Sequence, residues 1–184
     1  MKRREWLKFL AVAPLLARAG NAVSQTAMKT VKELQDAWKS FLPQGAVVPS
    51  PNEPLKLSDQ EWAKKLPSQA YRVLRKESTE RAGTSPLNEE KRAGIYACAG
   101  CDLPLFTSEM KFDSGTGWPS FFTSIPGVFD QKKDYLLIYP RVEYHCKRCG
   151  GHHGHLFDDG PQPTGERWCN NGVALKFLPK DAKG

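Results

Sequence analysis

Four of the chain's five cysteines come as two C-x-x-C pairs, Cys98 with Cys101 and Cys146 with Cys149, separated by a domain-sized stretch. Each pair closes a tight knuckle that offers two sulfurs to one tetrahedral ion, so the spacing predicts a single structural zinc ion with four thiolate ligands. That requirement constrains the fold more than any other feature, because two distant knuckles must end up against each other. Glycines at Gly100, Gly150 and Gly151 let the backbone turn its amides toward sulfur. A redox-active dithiol is the competing use of such pairs, whereas catalytic zinc keeps an open position and takes histidine or carboxylate ligands. A filled four-sulfur shell leaves one thiol for chemistry, Cys169 in Arg167-Trp-Cys169-Asn-Asn171.

With 184 residues the chain can bury one sizeable core plus a short extension. Its first two dozen residues do not read as fold. Lys2-Arg3-Arg4 is a charged head, Trp6 to Ala17 is an apolar run too short to span a bilayer comfortably, and Ala17-Arg18-Ala19 or Ala22-Val23-Ser24 offers small residues for cleavage. Arg3-Arg4-Glu5-Trp6-Leu7-Lys8 resembles a twin-arginine export signal. The expectation is a bacterial protein exported already folded to the periplasm, with no stable membrane insertion once residues 1–24 are removed. An ordinary secretory signal or an uncleaved amphipathic anchor is the other reading of the same residues. Formal net charge is +7, but the first 24 residues hold five Lys or Arg against one acid, leaving 22 basic and 19 acidic residues, or +3. So modest a charge argues against the dense basic footprint of a nucleic-acid protein, and no nucleic-acid partner is expected. Export bears on the cysteines too. Adjacent C-x-x-C thiols make small, strained disulfide loops, and zinc loaded in the reducing cytoplasm would protect them.

The pattern along the chain predicts a mainly β fold: antiparallel sheets forming a small barrel or tent-like core, with short N-terminal helices. Met28 to Phe41 sets Val31, Leu34 and Trp38 at helical spacing; Pro43, Pro49, Pro51 and Pro54 make an extended linker. A second helix starts at Ser58 and stops near Pro67, and Gln69 to Lys76 gives a third. Short apolar runs between Gly, Pro and Asp clusters then read as strands at Gly94 to Ala97, Tyr135 to Tyr139, Val142 to His145, His155 to Phe157 and Val173 to Phe177. The expected division is a signal at 1–24, an extension at 25–56, a core domain at 57–179 and a tail at 180–184.

An isolated cysteine is more often a small buried apolar side chain than a nucleophile. Three neighbours of Cys169 shift that balance. Arg167, two residues earlier, would share a strand face with it and favour thiolate. Asn171, two residues later on that face, could donate to an oxygen. His152, His153 and His155 concentrate three of the four histidines within four residues, groups able to hold or donate a proton near neutral pH. Taken without the cysteine, that cluster reads as a second metal site or a surface strand.

Cys98-Ala-Gly-Cys101, Ser114-Gly-Thr-Gly-Trp118-Pro-Ser-Phe121, Cys146-Lys-Arg-Cys149-Gly-Gly-His152-His-Gly-His155-Leu-Phe-Asp-Asp159 and Arg167-Trp-Cys169-Asn-Asn171 together resemble the B-type methionine sulfoxide reductases. The resemblance runs from about Leu57 to Pro179. It implies thiol-dependent reduction of the R epimer of methionine sulfoxide in oxidised proteins, structural Zn2+ at the paired cysteines and a nucleophile at Cys169. Carried over position by position, it implies His155 as the main acid with His152 beside it, and Trp118 as the apolar seat for the S-methyl group; Phe157 would add a second wall. The chemistry agrees. A sulfoxide sulfur is electrophilic but its oxygen leaves poorly until protonated, so a site needs a thiolate on one side and a proton donor on the other. Attack would release methionine and leave Cys169 as sulfenic acid, with Asn171 holding the oxygen or a water replacing it and Arg167 orienting and steadying the thiolate.

Two departures from the family pattern stand out. Many members carry a resolving cysteine where this chain has Thr116, and no sixth cysteine replaces it. Direct reduction of oxidised Cys169 by an external thiol, thioredoxin-like or otherwise, is therefore expected. Gly172 stands where serine is frequent. The contrasting possibility is a zinc-stabilised β binding module without catalytic activity, which would have no need of Cys169.

Overall fold

The computed structural model of the chain describes residues 29–134 and 141–180; the expected signal peptide and the expected strand at Tyr135 to Tyr139 fall outside them. Helix α1 (Val31–Asp36) opens with a capping box, in which Thr30 accepts from the Glu33 N–H and the Glu33 carboxylate accepts from Thr30. The sequence predicts one helix as far as Phe41, but from Ala37 the backbone tightens into a 3-10 turn. Three residues per turn bring Trp38 and Phe41 to one side, where both pack against Ile95 and Ala97. The extension thus docks on the core, and Gln35 Nε2 donates to Thr123 Oγ1 at 2.9 Å. Helix α2 (Asp59–Lys65) starts at the Ser58–Glu61 capping box and ends ahead of Pro67, as predicted. Helix α3 (Ser68–Lys76) turns Ala70, Val73 and Leu74 inward.

Nine strands follow among the described residues: β1 (Gly94–Cys98), β2 (Pro104–Thr107), β3 (Lys111–Phe112), β4 (Ser120–Phe121), β5 (Phe129–Asp134), β6 (Arg141–Cys146), β7 (His152–Phe157), β8 (Arg167–Asn170) and β9 (Leu175–Pro179). They form a three-stranded sheet in the order β2-β1-β9 and a six-stranded sheet in the order β3-β4-β8-β7-β6-β5, with every pairing antiparallel. The expected mainly β, antiparallel architecture with few short helices is what the chain adopts. Aromatic rings fill the space between the sheets. Phe106 of β2 stacks on Phe121 of β4 at 4.0 Å, and Trp168 of β8 meets Tyr144 at 5.0 Å and Phe129 at 5.4 Å.

Strand β9 begins two residues later than predicted, because Gly172–Ala174 forms a 3-10 turn instead. Strand β5 escaped the sequence reading because Phe-Asp-Gln-Lys-Lys-Asp carries no apolar alternation. It is an edge strand, and charge is what an edge needs to resist pairing with another chain.

One irregularity positions the functional residues. Between β6 and β7, Tyr144 pairs with Gly154 and His145 with His152, so His153 is an extra residue in β7. In a regular strand, residues three apart face opposite sides. The bulge instead puts His152 and His155 together, with rings 5.5 Å apart, and turns His153 to the core between Phe129 and Tyr144.

Candidate active site

The two knuckles meet as predicted. Cys98 Sγ is 3.7 Å from Cys149 Sγ and Cys101 Sγ is 3.5 Å from Cys146 Sγ, with all four sulfurs buried and within 4.8 Å of one another. Tetrahedral coordination with metal–sulfur bonds of about 2.3 Å needs sulfur–sulfur edges of about 3.8 Å, so the cluster fits an ion such as zinc. Backbone carbonyls of the knuckles are pinned from outside: Arg75 donates to Cys149 O at 2.8 Å and Arg148 to Cys101 O at 3.1 Å. His153, which the sequence left without a role, lies 3.4 Å from Cys98 Sγ through Nε2 and 3.1 Å from Asn170 Oδ1 through Nδ1.

Cys169 lies outside that cluster, on β8 between Ser120 of β4 and His155 of β7. It opens into a cleft of about 180 Å³ whose walls include Trp118, His155, Phe157 and Asn171. Gly154 makes the strand approach possible, since a Cβ there would sit 1.9 Å from the Cys169 carbonyl oxygen. The loop carrying Trp118 depends on Gly117, whose φ of 88° and 2.8 Å clearance from Gly83 N exclude a side chain. Gly115 has a positive φ but open space around it, so it supplies the turn rather than a close approach.

Burial pushes the Cys169 thiol up from its ordinary value, and Arg167 and Thr116 pull the other way without overcoming it. Arg167 thus favours the thiolate, the direction expected of it, against the larger opposing effect of desolvation. Arg167 is itself tied down. It donates to Asp159 Oδ1 at 2.7 Å and Oδ2 at 2.9 Å, and its guanidinium lies over Phe157 at 4.1 Å. Thr116 stands where it favours the Cys169 thiolate, and it joins a short hydroxyl chain through Ser114 at 2.8 Å to Ser120 at 2.7 Å.

Two predicted site residues are held by contacts that the sequence did not reveal. His152 stands behind His155, 1% exposed, with Nδ1 3.1 Å from Glu143, and burial drops it to about 4. The Asn171 amide, expected to hold the substrate oxygen, accepts from Glu80 N–H and donates to the His153 carbonyl, both at 2.9 Å. Its geometry is that of a strut. Glu80 had no signal in the sequence beyond being an acid after a helix, yet it is a hub. Buried at 3% exposure, it takes the N–H groups of Gly172 and Val173 on its carboxylate, while its carbonyl accepts from Trp118 Nε1 at 3.1 Å. Thr79 and Arg141 also line the cleft and were not foreseen.

Residues 66–179 match the SelR domain family. The chain belongs to that family. It is similar to the peptide methionine sulfoxide reductase MsrB of Leptospira interrogans, 47% identical over 121 residues covering 65% of this chain and 92% of that protein. The protein of the same name from Hahella chejuensis is 46% identical over 128 residues, which is 69% of this chain and 92% of that protein. The chloroplastic peptide methionine sulfoxide reductase B1 of Arabidopsis thaliana is 48% identical over 127 residues, and the match spans 63% of its length. All the functional side chains above fall inside the SelR match.

Proposed function

We propose that the cleft reduces the R epimer of methionine sulfoxide in proteins, with Cys169 as nucleophile. The observation that carries this is the convergence of the one thiol outside the sulfur cluster with His155 and Trp118 on a single cleft. Trp118 and Phe157 offer apolar walls to the S-methyl group, and His155 lies beside the sulfur where the oxygen must receive a proton. The raised thiol suits the reaction. The Cys169 proton moves by way of His155 to the sulfoxide oxygen as Sγ attacks, the sulfur–oxygen bond of the substrate breaks, and the oxygen leaves bound to Sγ. The products are methionine and a Cys169 sulfenic acid, with atoms and charge conserved.

The sulfenic acid is then reduced from outside. One thiol condenses with it, releasing water and forming a mixed disulfide; a second thiol displaces Cys169 and leaves as the disulfide of the donor. Thr116 cannot perform the first of these steps. Arg167 and Asn171 are positioning residues on this reading, and His152 backs His155. The four paired cysteines would hold one structural zinc ion, which pins the two knuckles to each other and takes no part in the redox steps. For residues 1–24 we propose a twin-arginine export signal, making the protein a periplasmic repair enzyme for oxidised exported proteins. Loss of the protein from the periplasm on replacing Arg3 and Arg4 with Lys would support that address, and unchanged export would refute it. Among the described residues no helix is long and apolar enough to cross a membrane.

Turnover of separated R and S epimers of a methionine sulfoxide peptide, with dithiothreitol as reductant, tests the activity. R-selective turnover abolished in Cys169→Ser is expected. No turnover of either epimer by folded, zinc-loaded protein with a free thiol would overturn the reading.

A further inference from the structure

A second group of metal-ligating side chains lies outside the four-cysteine cluster. Glu143 and His145 are two apart on β6 and share a face, and the bulge brings His152 of β7 into register with His145. Glu143 Oε2 is 3.3 Å from His145 Nε2 and 3.1 Å from His152 Nδ1, and the three ligand atoms fall within 4.8 Å. Zinc bonds of about 2.0–2.2 Å to nitrogen and oxygen give tetrahedral ligand–ligand edges of about 3.3–3.5 Å. The observed contacts have that scale.

A hydrogen-bonded triad would explain the distances only if an N–H were aimed at the carboxylate. Neither His145 Nε2 nor His152 Nδ1 makes a hydrogen bond of acceptable geometry, although both nitrogens lie beside the oxygen. His152 Nε2 has no hydrogen-bond partner either, and the residue is 1% exposed. A buried ring left in that condition asks for a ligand, because an unsatisfied buried polar group is costly.

The surrounding contacts are those of a ligand set. His145 Nδ1 sits 3.4 Å from the Gly150 carbonyl, a contact that holds the proton on Nδ1 and leaves the Nε2 lone pair facing Glu143. Lys132 Nζ meets the other carboxylate oxygen of Glu143 at 3.3 Å, so Oε2 is the one turned to the histidines. Half-buried His145 and exposed Lys132 give the group a side open to solvent.

We propose that Glu143, His145 and His152 form a second metal site, which binds a divalent transition ion that prefers nitrogen and oxygen ligands, such as cobalt(II), nickel(II) or zinc, with one coordination position left to water. The proposal is independent of the role assigned to Cys169.

Full-length protein carrying one tightly held zinc ion per chain is titrated with cobalt(II), with bound metal counted and the visible spectrum recorded. One cobalt ion per chain is expected, giving ligand-field absorption without the thiolate-to-cobalt charge-transfer band of a sulfur site. His145→Ala should weaken cobalt binding on the order of 10- to 100-fold or more while leaving the melting curve in place. Glu143→Gln should weaken it as well. Absence of a cobalt ion beyond the zinc, a thiolate charge-transfer band accompanying its uptake, or unchanged cobalt affinity in His145→Ala would each overturn the proposal.

Discussion

Replacing Glu80 with Ala tests whether the floor of the cleft rests on one buried carboxylate. Its Oε1 accepts from the Gly172 N–H at 2.5 Å and its Oε2 from the Val173 N–H at 3.0 Å, capping the turn that follows Cys169. Removing the carboxylate leaves two backbone donors unpaired in a site with little access to water. Each costs about 1–3 kcal/mol, so the loss is roughly 4 kcal/mol in all. For a chain of this size, 1 kcal/mol corresponds to about 2–4 °C in Tm, and Glu80→Ala should melt roughly 8–16 °C below the parent. Glu80→Gln retains one acceptor oxygen but turns an amide N–H toward a backbone donor, so its melting point should fall between the two. The same segment carries the Glu80 N–H that holds Asn171 and the carbonyl that holds Trp118. The expected kinetic signature is therefore a rise in KM as the backbone that anchors Trp118 shifts, measured well below the melting transition with bound metal unchanged. The assay is thermal unfolding by circular dichroism alongside peptide turnover. A Glu80→Ala protein that melts within about 2 °C of the parent would refute the reasoning, since water would then be satisfying both donors.

Gly154→Ala should abolish turnover and lower stability by several kcal/mol, because the new methyl group would overlap the Cys169 carbonyl and force β7 from β8; full activity in a folded variant would contradict this. Alkylation of Cys169 by iodoacetamide should be slower at pH 7 than that of a free thiol. It should rise about tenfold per pH unit through pH 9, because the folded thiol lies above its ordinary value and thiolate is the reactive form. Thr116→Val removes a hydroxyl that favours thiolate, so the profile should move further to alkaline pH while its plateau stays the same. Cys146→Ser should cost the protein its tightly held metal and much of its cooperative unfolding, as read by metal content and the width of the melting transition.

What the sequence made legible follows from locality. Spacing within a knuckle, a capping box and a proline stop are decided by neighbours a few residues apart, so the cysteine pairs, α2 and the start of α1 could all be read from the chain. The lone Cys169 and the H-x-G-H segment were legible because their residue types are uncommon in combination. Glu80 was not, since its partners Gly172 and Val173 lie about ninety positions away and a glutamate after a helix usually faces solvent. Nor was the strut role of Asn171, because Asn donates and accepts equally well and only the tertiary contacts choose between backbone and substrate. The bulge at His153 was not legible either. Counting by twos along β7 separates His152 from His155, and the extra residue reunites them on one face while withdrawing His152 behind its neighbour.

The two sulfur knuckles sit at links in different sheets, one between β1 and β2 and the other between β6 and β7. Each link can form by itself as soon as its own hairpin does, on the microsecond scale of hairpin closure. Joining them must wait, because Cys101 and Cys146 are 45 positions apart and the sheets that carry them draw strands from all parts of the segment Gly94 to Pro179. Metal capture with all four sulfurs would therefore come late, and its arrival would report that both halves have assembled. A chain stalled with one sheet unformed would present only two sulfurs, hold the ion loosely and surrender it to any competing chelator. An ion held by all four sulfurs would thus separate completed molecules from incomplete ones.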